Sequence, residues 1–310
     1  MFKIELLGVI QKNMPDFDTA NVQDLIKAEK VLKVENKLNS EVGMTDVENL
    51  LSFFRNYGSQ FNFLFENDNV KAILKNDFES FTGFPSEDFN EENDEILYEF
   101  AELFSESVSA FIYSGIQQSK WSKLKDFFQF YDPIISLDAF EKAKEMLSNK
   151  NRLILNILPT PLKYSFFQKT GNYAFSPQYY KLQSELDSYY FDQEILEINN
   201  TIARHQKTSA SNKVTQGKIL VAISYFDAYY EDTIKVLSDN KDVGQSWIDD
   251  QSHYNDSDSS ILPIILTIGA VIAIGIILAT TIDDFEPWMF KLLILPIVLV
   301  VKFVNYIAKK

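Results

Sequence analysis

A mainly α-helical body followed by a C-terminal two-helix transmembrane hairpin is the fold class this sequence predicts, on three observations. Apolar residues recur three and four apart through most of the chain, the signature of helices with one buried face. Ile261 to Ile282 is an apolar run without a single charge, and a second apolar stretch runs from Trp288 to Ala308. Each is long enough to cross roughly 30 Å of hydrocarbon as a helix. The five residues between them, Asp283, Asp284, Phe285, Glu286 and Pro287, form an acidic turn.

Taken in order, the chain opens on the alternation Phe2-Lys-Ile4-Glu-Leu6, which leaves a small β element near residues 2–10 open beside a buried segment. Helical spacing then predicts helices over Val22 to Leu38, Val47 to Phe54, Glu91 to Ile116, Ser119 to Tyr131 and Leu137 to Leu147. The second of these has a marked start, because Thr45-Asp-Val-Glu48 carries the spacing of a capping box. The short apolar run Arg152 to Leu158 reads as a second strand or buried segment, at 152–158. Pro159-Thr-Pro161 through Ser176 is the best candidate for a subdomain junction, at 159–176. Beyond it, Ser176 before Pro177 places a capping hydroxyl ahead of a proline at the first helical position. Two long helices are expected, Pro177 to about His205 and Lys213 to about Leu237. Residues 1–248 are therefore read as one helical domain and 249–260, DDQSHYNDSDSS, as a flexible acidic tether.

The two halves of the hairpin differ. In the first span, Gly269 and Ala273, then Gly275 and Ala279, hold small residues four apart, the spacing that lets membrane helices approach closely. In the second, Pro296 falls mid-span and kinks the helix. Lys291 and Lys302 lie eleven residues apart, roughly 16 Å and three turns along an α-helix, so they share a face, and Lys309 joins it seven residues on. Those lysines either snorkel to the interface or line water in an assembly of hairpins.

Charge and composition bound the partners. The net charge is −15, and the segment from Ile261 onward has four lysines against three carboxylates, so the preceding residues carry −16. Such a body is repelled by phosphate backbones and by anionic headgroups, so no nucleic-acid partner is expected. With no cysteine, disulfides, thiolate metal sites and cysteine nucleophiles are excluded. The N-terminal MFKIELLGVIQK lacks the features of a secretory signal, and the lysines of the short C-terminal flank place that end in the cytoplasm. A two-span hairpin returns to its starting side, so the body is expected there too.

Few residues offer chemistry. Glu95, Glu99, Glu102 and Glu106 fall at steps of four, three and four on one predicted helix, opposite Leu97, Phe100, Phe104, Val108 and Phe111. This reads as the solvated face of an amphipathic helix; as a functional feature it would be an acidic docking face, since no Glu-x-x-His pair accompanies it. The only histidines are His205 and His253, both read as surface residues, which makes a catalytic triad or multi-histidine metal centre improbable. Gly217-Lys218 fails as a phosphate loop, with Asn212 five residues before and Ile219 after. The clusters Phe53-Phe54, Phe127-Phe128, Tyr189-Tyr190-Phe191 and Tyr225-Phe226 with Tyr229-Tyr230 read as core and helix contacts with tyrosines at the rim.

No catalytic residue, metal or cofactor is therefore expected, and the lipid bilayer, a homo-oligomer and a cytoplasmic protein are the expected partners. In outline the layout is similar to pore-forming toxin domains and membrane-acting immune effectors, an architectural likeness that supplies no site residues. The expected function is a non-enzymatic membrane effector whose hairpins oligomerise to form a pore or perturb the bilayer. A membrane-anchored scaffold, with the hairpin as anchor only, is the alternative.

Overall fold

Leu25, Ala28 and Leu32, spaced three and four apart, are the buried face of a helix that begins and ends where the periodicity does, Val22–Leu38. Asn21 caps it, its side-chain oxygen accepting from the Gln23 N–H. The same logic recurs through the computed structural model, which describes residues 3–39, 43–84, 87 and 89–250. Every regular element among them is helical.

The helices are α1 (Lys3–Asn13), α2 (Val22–Leu38), α3 (Met44–Tyr57), α4 (Asn62–Glu66), α5 (Asp68–Leu74), α6 (Asp94–Leu103), α7 (Ser105–Gln117), α8 (Trp121–Phe130), α9 (Leu137–Ile157), α10 (Ser165–Lys169), α11 (Pro177–Arg204) and α12 (Ala210–Ile223). A thirteenth, α13, covers 231–250, the last described residues. One compact unit embraces Met1–Ser246, so the 159–176 segment is a run of short helical turns inside it; a second unit starts at Trp247. The tether expected at 249–260 starts within α13 at Asp249 and Asp250 and continues outside the described residues. Both hairpin spans also lie outside them, and no described helix is long and apolar enough to cross a membrane.

Several expectations are corrected. Neither candidate β element forms. Residues 3–13 are helical because Leu6 and Ile10, four apart, are both buried, and that spacing prevails over the alternation. The 152–158 run continues α9: Leu147, Asn151, Ile154 and Leu158 repeat at four, three and four on one fully buried face. The polar Ser148 and Asn151 interrupted the apolar period and concealed the helix. The capping box also fails, since α3 starts at Met44 with Gly43 as its cap and Thr45 inside the helix. Ser176 does stand at the N-cap of α11 with Pro177 first, but its side chain forms no capping bond.

The single helix expected over 91–116 breaks at Phe104 (φ −104°, ψ 15°), dividing α6 from α7. Between α7 and α8, Ser119 takes a left-handed φ of 58° while Lys120 N–H bonds the Gly115 carbonyl at 2.9 Å, a Schellman stop. The helix expected over 213–237 is interrupted at 224–230, between α12 and α13.

Aromatic rings fill the interior. Phe53, Phe54 and Phe61 pack together under α3, and Phe65 bridges Phe61 to Phe100 and Phe104. Phe78 stacks on Phe111 at 4.1 Å, and Phe81, Phe127 and Tyr131 extend that cluster. Farther along, Trp121, Tyr173 and Tyr179 meet edge to face. The last of these clusters lies against α11, which packs on α8, α9 and α12.

Candidate functional site

The long helix α11 carries an unusual load of buried polar residues: Gln183, Asp192, Asn199 and Thr201 are all less than 5% exposed. A polar group removed from water must find partners or cost roughly 1–3 kcal/mol, so each of these predicts a specific bond. Thr201 bonds within α11, to Glu197 and Arg204, and the bonds of the other three fall into two sets, one toward α9 and one toward α13.

Toward α9 the centre is Asn151, fully buried. Its Nδ2 donates to Gln183 Oε1 at 2.7 Å and to Glu194 Oε2 at 2.9 Å, while its Oδ1 accepts from the Tyr179 hydroxyl at 2.8 Å. Ser148 donates to the other oxygen of Glu194. Gln183 and Glu194 are eleven residues apart, roughly 16 Å on a straight helix. Both reach one nitrogen because α11 is broken between them, at Asp187, whose backbone is extended (φ −169°, ψ 91°). Asp187 serves that break twice. Its Oδ1 accepts from the Tyr190 N–H at 2.9 Å, capping the second segment, and its Oδ2 pairs with Lys144 at 3.3 Å.

Lys144 is 9% exposed, meets Glu141 at 2.7 Å, and lies over the rings of Phe140 and Tyr190. Burial alone would favour its neutral form; the bonds and charges of Glu141 and Asp187 outweigh that and raise its pKa. Lys150, half-buried over Trp121 and Tyr173, has no such carboxylate among the described residues, and burial lowers its pKa.

Toward α13 the centre is Asp192. Its Oδ1 accepts from the N–H groups of Tyr229 (2.9 Å) and Tyr230 (3.2 Å), and its Oδ2 from the Thr233 hydroxyl at 2.6 Å. A buried carboxylate thus holds the N-terminal end of α13, where the helix dipole favours negative charge. Ser184 secures the same turn by accepting from the Asp227 N–H at 2.8 Å, and Asn199 accepts from Asn240 at 3.1 Å, two turns farther along α13. At Gly244 the backbones touch: a Cβ there would lie 2.8 Å from the Gly217 carbonyl oxygen and 2.8 Å from Leu220 Cβ. Gly217, weighed in the sequence as part of a phosphate loop, is instead a helix-crossing residue.

Above this root lies a tyrosine surface. Tyr189, Tyr229 and Tyr230 form mutual ring contacts of 5.1–6.1 Å while remaining at least half exposed. Their neighbours in sequence, Phe191 and Phe226, are buried.

The acidic face read from the sequence is only partly assembled. Glu95, Glu99 and Glu102 are exposed on α6, but the break at Phe104 puts Glu106 on α7. Glu99 and Glu102 border a cleft of about 400 Å³ with Asn49, Ser52, Asn56 and Tyr57 of α3. Tyr57 donates to Glu95 at 3.4 Å, and its hydroxyl pKa is raised by burial first and by the Glu95 and Glu99 charges next. Among the described residues no group of three or more carboxylates and histidines is placed to hold a metal. His205, exposed at the end of α11, has Nδ1 at 2.9 Å from the Thr201 carbonyl, which can only accept, so Nδ1 carries the proton. The hairpin candidates Gly269, Ala273, Gly275, Ala279, Lys291, Pro296, Lys302 and Lys309 lie outside the described residues, as does His253.

The polar seam of α11 was missed in the sequence. Its signal was there: Gln183, Asp192 and Asn199 interrupt an apolar face with residues that burial makes costly. No family model matches the chain, and no curated protein and no solved structure matches it.

Proposed function

We propose that this chain is a membrane-anchored, non-enzymatic effector whose helical body binds a partner and whose C-terminal hairpins assemble to form a pore or perturb the bilayer. The observation that carries the reading is the pair of apolar segments, 261–282 and 288–308, with a lysine stripe and a mid-span proline confined to the second. A helix barely apolar enough to face lipid on all sides is best accommodated in an assembly, with Lys291 and Lys302 toward water. The charge bias of the flanks supports a cytoplasmic location for the body and the C-terminus. The rooted α13 supports a role for the body beyond that of a passenger, because it is the last described element before those segments.

The competing reading, an anchored scaffold, draws on the exposed tyrosines around Tyr229 and the acidic face of α6, both suited to holding a protein partner. Dye release from vesicles containing the full chain separates the two. The effector reading expects release that falls when Lys302→Leu removes the charge, and loss of function when the hairpin is exchanged for an unrelated two-span anchor. Retained function in that exchange would establish the scaffold, and undiminished release by Lys302→Leu would remove the lysine stripe from the pore.

A further inference from the structure

The buried face of α2, with Leu25, Ala28 and Leu32, accounts for one side of that helix; the other side is unlike the rest of this acidic body. At 3.6 residues per turn, Lys27, Lys30, Lys33 and Lys37 all fall within an arc of roughly 160°. The same arc holds Val22, Ile26, Val34 and Leu38, which are 66%, 41%, 55% and 79% exposed. The helix's three carboxylates, Asp24, Glu29 and Glu35, fall outside it. All four lysines are exposed. Lys27 meets Asp24 at 2.9 Å and Lys33 meets Glu29 at 2.6 Å, while Lys30 and Lys37 have no ion pair among the described residues. At its N-terminal end the face opens beside a groove of about 340 Å³, walled by Leu25 and Phe54 with Arg55 at its edge.

We propose that this face of α2 is a peripheral docking surface for an anionic lipid membrane. The occupant follows from the chemistry. Lys30 and Lys37, without an ion pair among the described residues, and Lys27 and Lys33, paired with carboxylates that lie outside the arc, complement headgroup phosphates, and the interleaved aliphatics reach the acyl boundary while the lysine stems snorkel outward. A protein interface fits less well, because lysine is depleted at the centre of such interfaces, whereas here it supplies four of the nine residues of the arc, the ninth being Gln23. The net −16 before Ile261 does not cancel the attraction, since charges farther away than about 8–10 Å are screened at physiological salt and the helix's own four lysines outnumber its three carboxylates. The surface stands on the residues of α2 and does not depend on the hairpin.

The chain has no cysteine, so a single Val34→Cys substitution carries an environment-sensitive dye without background. The full chain is reconstituted in vesicles of phosphatidylcholine alone and of phosphatidylcholine mixed with phosphatidylglycerol. In the mixed vesicles the dye shifts to the blue and is quenched by headgroup-level nitroxide lipids; high salt reverses both effects. A dye at Lys207, in the loop after α11, does not respond. Each lysine contributes about fivefold to binding an anionic surface, so Lys30→Gln with Lys37→Gln raises the anionic lipid needed about 25-fold. Both sites are exposed, and an unchanged melting temperature verifies the fold. Equal emission in the two lipids overturns the proposal. So does a shift that appears without vesicles and grows with protein concentration, which identifies a second copy as the occupant. Failure of the hairpin reading is separate: it appears as loss of flotation with phosphatidylcholine vesicles, with the response to phosphatidylglycerol intact.

Discussion

Ser119 holds a conformation that suits glycine. Its φ of 58° places Cβ against the following carbonyl, at a cost of roughly 1–2 kcal/mol for an L-residue, and the Schellman bond from Lys120 requires it to stay there. Ser119→Gly should therefore stabilise the body by about 1 kcal/mol, offset in part by the greater freedom of glycine in the unfolded chain. Calorimetry should record a rise in Tm of roughly 2–4 °C. Lys144 is the opposite case, a residue its surroundings need. Removing it in Lys144→Met leaves Asp187 without its cation at the break in α11, and a loss of about 2 kcal/mol is expected at neutral pH. The sign of the pH dependence follows from the raised pKa. The wild type's advantage is fully present below the ordinary lysine value of 10.5 and is lost as pH rises through the higher folded value. Denaturation of both proteins across alkaline pH measures it; a gap that stays constant there would mean the charge of Lys144 contributes nothing.

At the scale of elements, α13 is seated by backbone contact. The Gly244 approach leaves no room for a side chain, so Gly244→Val pushes α13 away from α12 and should cost about 1–3 kcal/mol. Hydrogen exchange should show faster exchange over 231–246 than over α9, whereas uniform protection would show that the crossing adapts. These elements also show what was legible beforehand. The bounds of α2 could be read because its buried positions are all apolar and its cap is a plain Asn21. The continuation of α9 through 152–158 could not, because Ser148 and Asn151 occupy its core face and are satisfied only by Glu194, Gln183 and Tyr179, partners remote in sequence. The stop between α7 and α8 was legible to within two residues, since the expected helices end at Ile116 and resume at Ser119, although a serine stands where glycine or asparagine usually signals the turn. At Phe104 no proline, glycine or capping side chain marks the break, so the acidic face seemed to extend from Glu95 to Glu106. The α2 face was masked by averaging, since four lysines disappear in a large negative total.

For the whole molecule, the question is whether the state of the body reaches the proposed hairpin. Asp192 is the residue at which to ask it. It is buried, supplies both oxygens to the start of α13, and lies on α11, whose break at Asp187 is set by contacts to α9. Asp192→Ala leaves the N–H groups of Tyr229 and Tyr230 and the Thr233 hydroxyl without their acceptor, a loss of about 3 kcal/mol concentrated at the root of α13. That matches the upper end of the 1–3 kcal/mol typical of coupling between distant sites, so the variant should loosen α13 before it unfolds the core. If α13 restrains the hairpins, dye release by the full chain should rise by roughly 5- to 150-fold at equal protein and lipid. Asp192→Asn keeps an acceptor at the same place and should fall between the two. Hydrogen exchange over 231–246 supplies the internal control, reporting the release of α13 whether or not the membrane responds. Faster exchange there with unchanged dye release would disconnect α13 from the hairpin and leave the body as a partner-binding module alone.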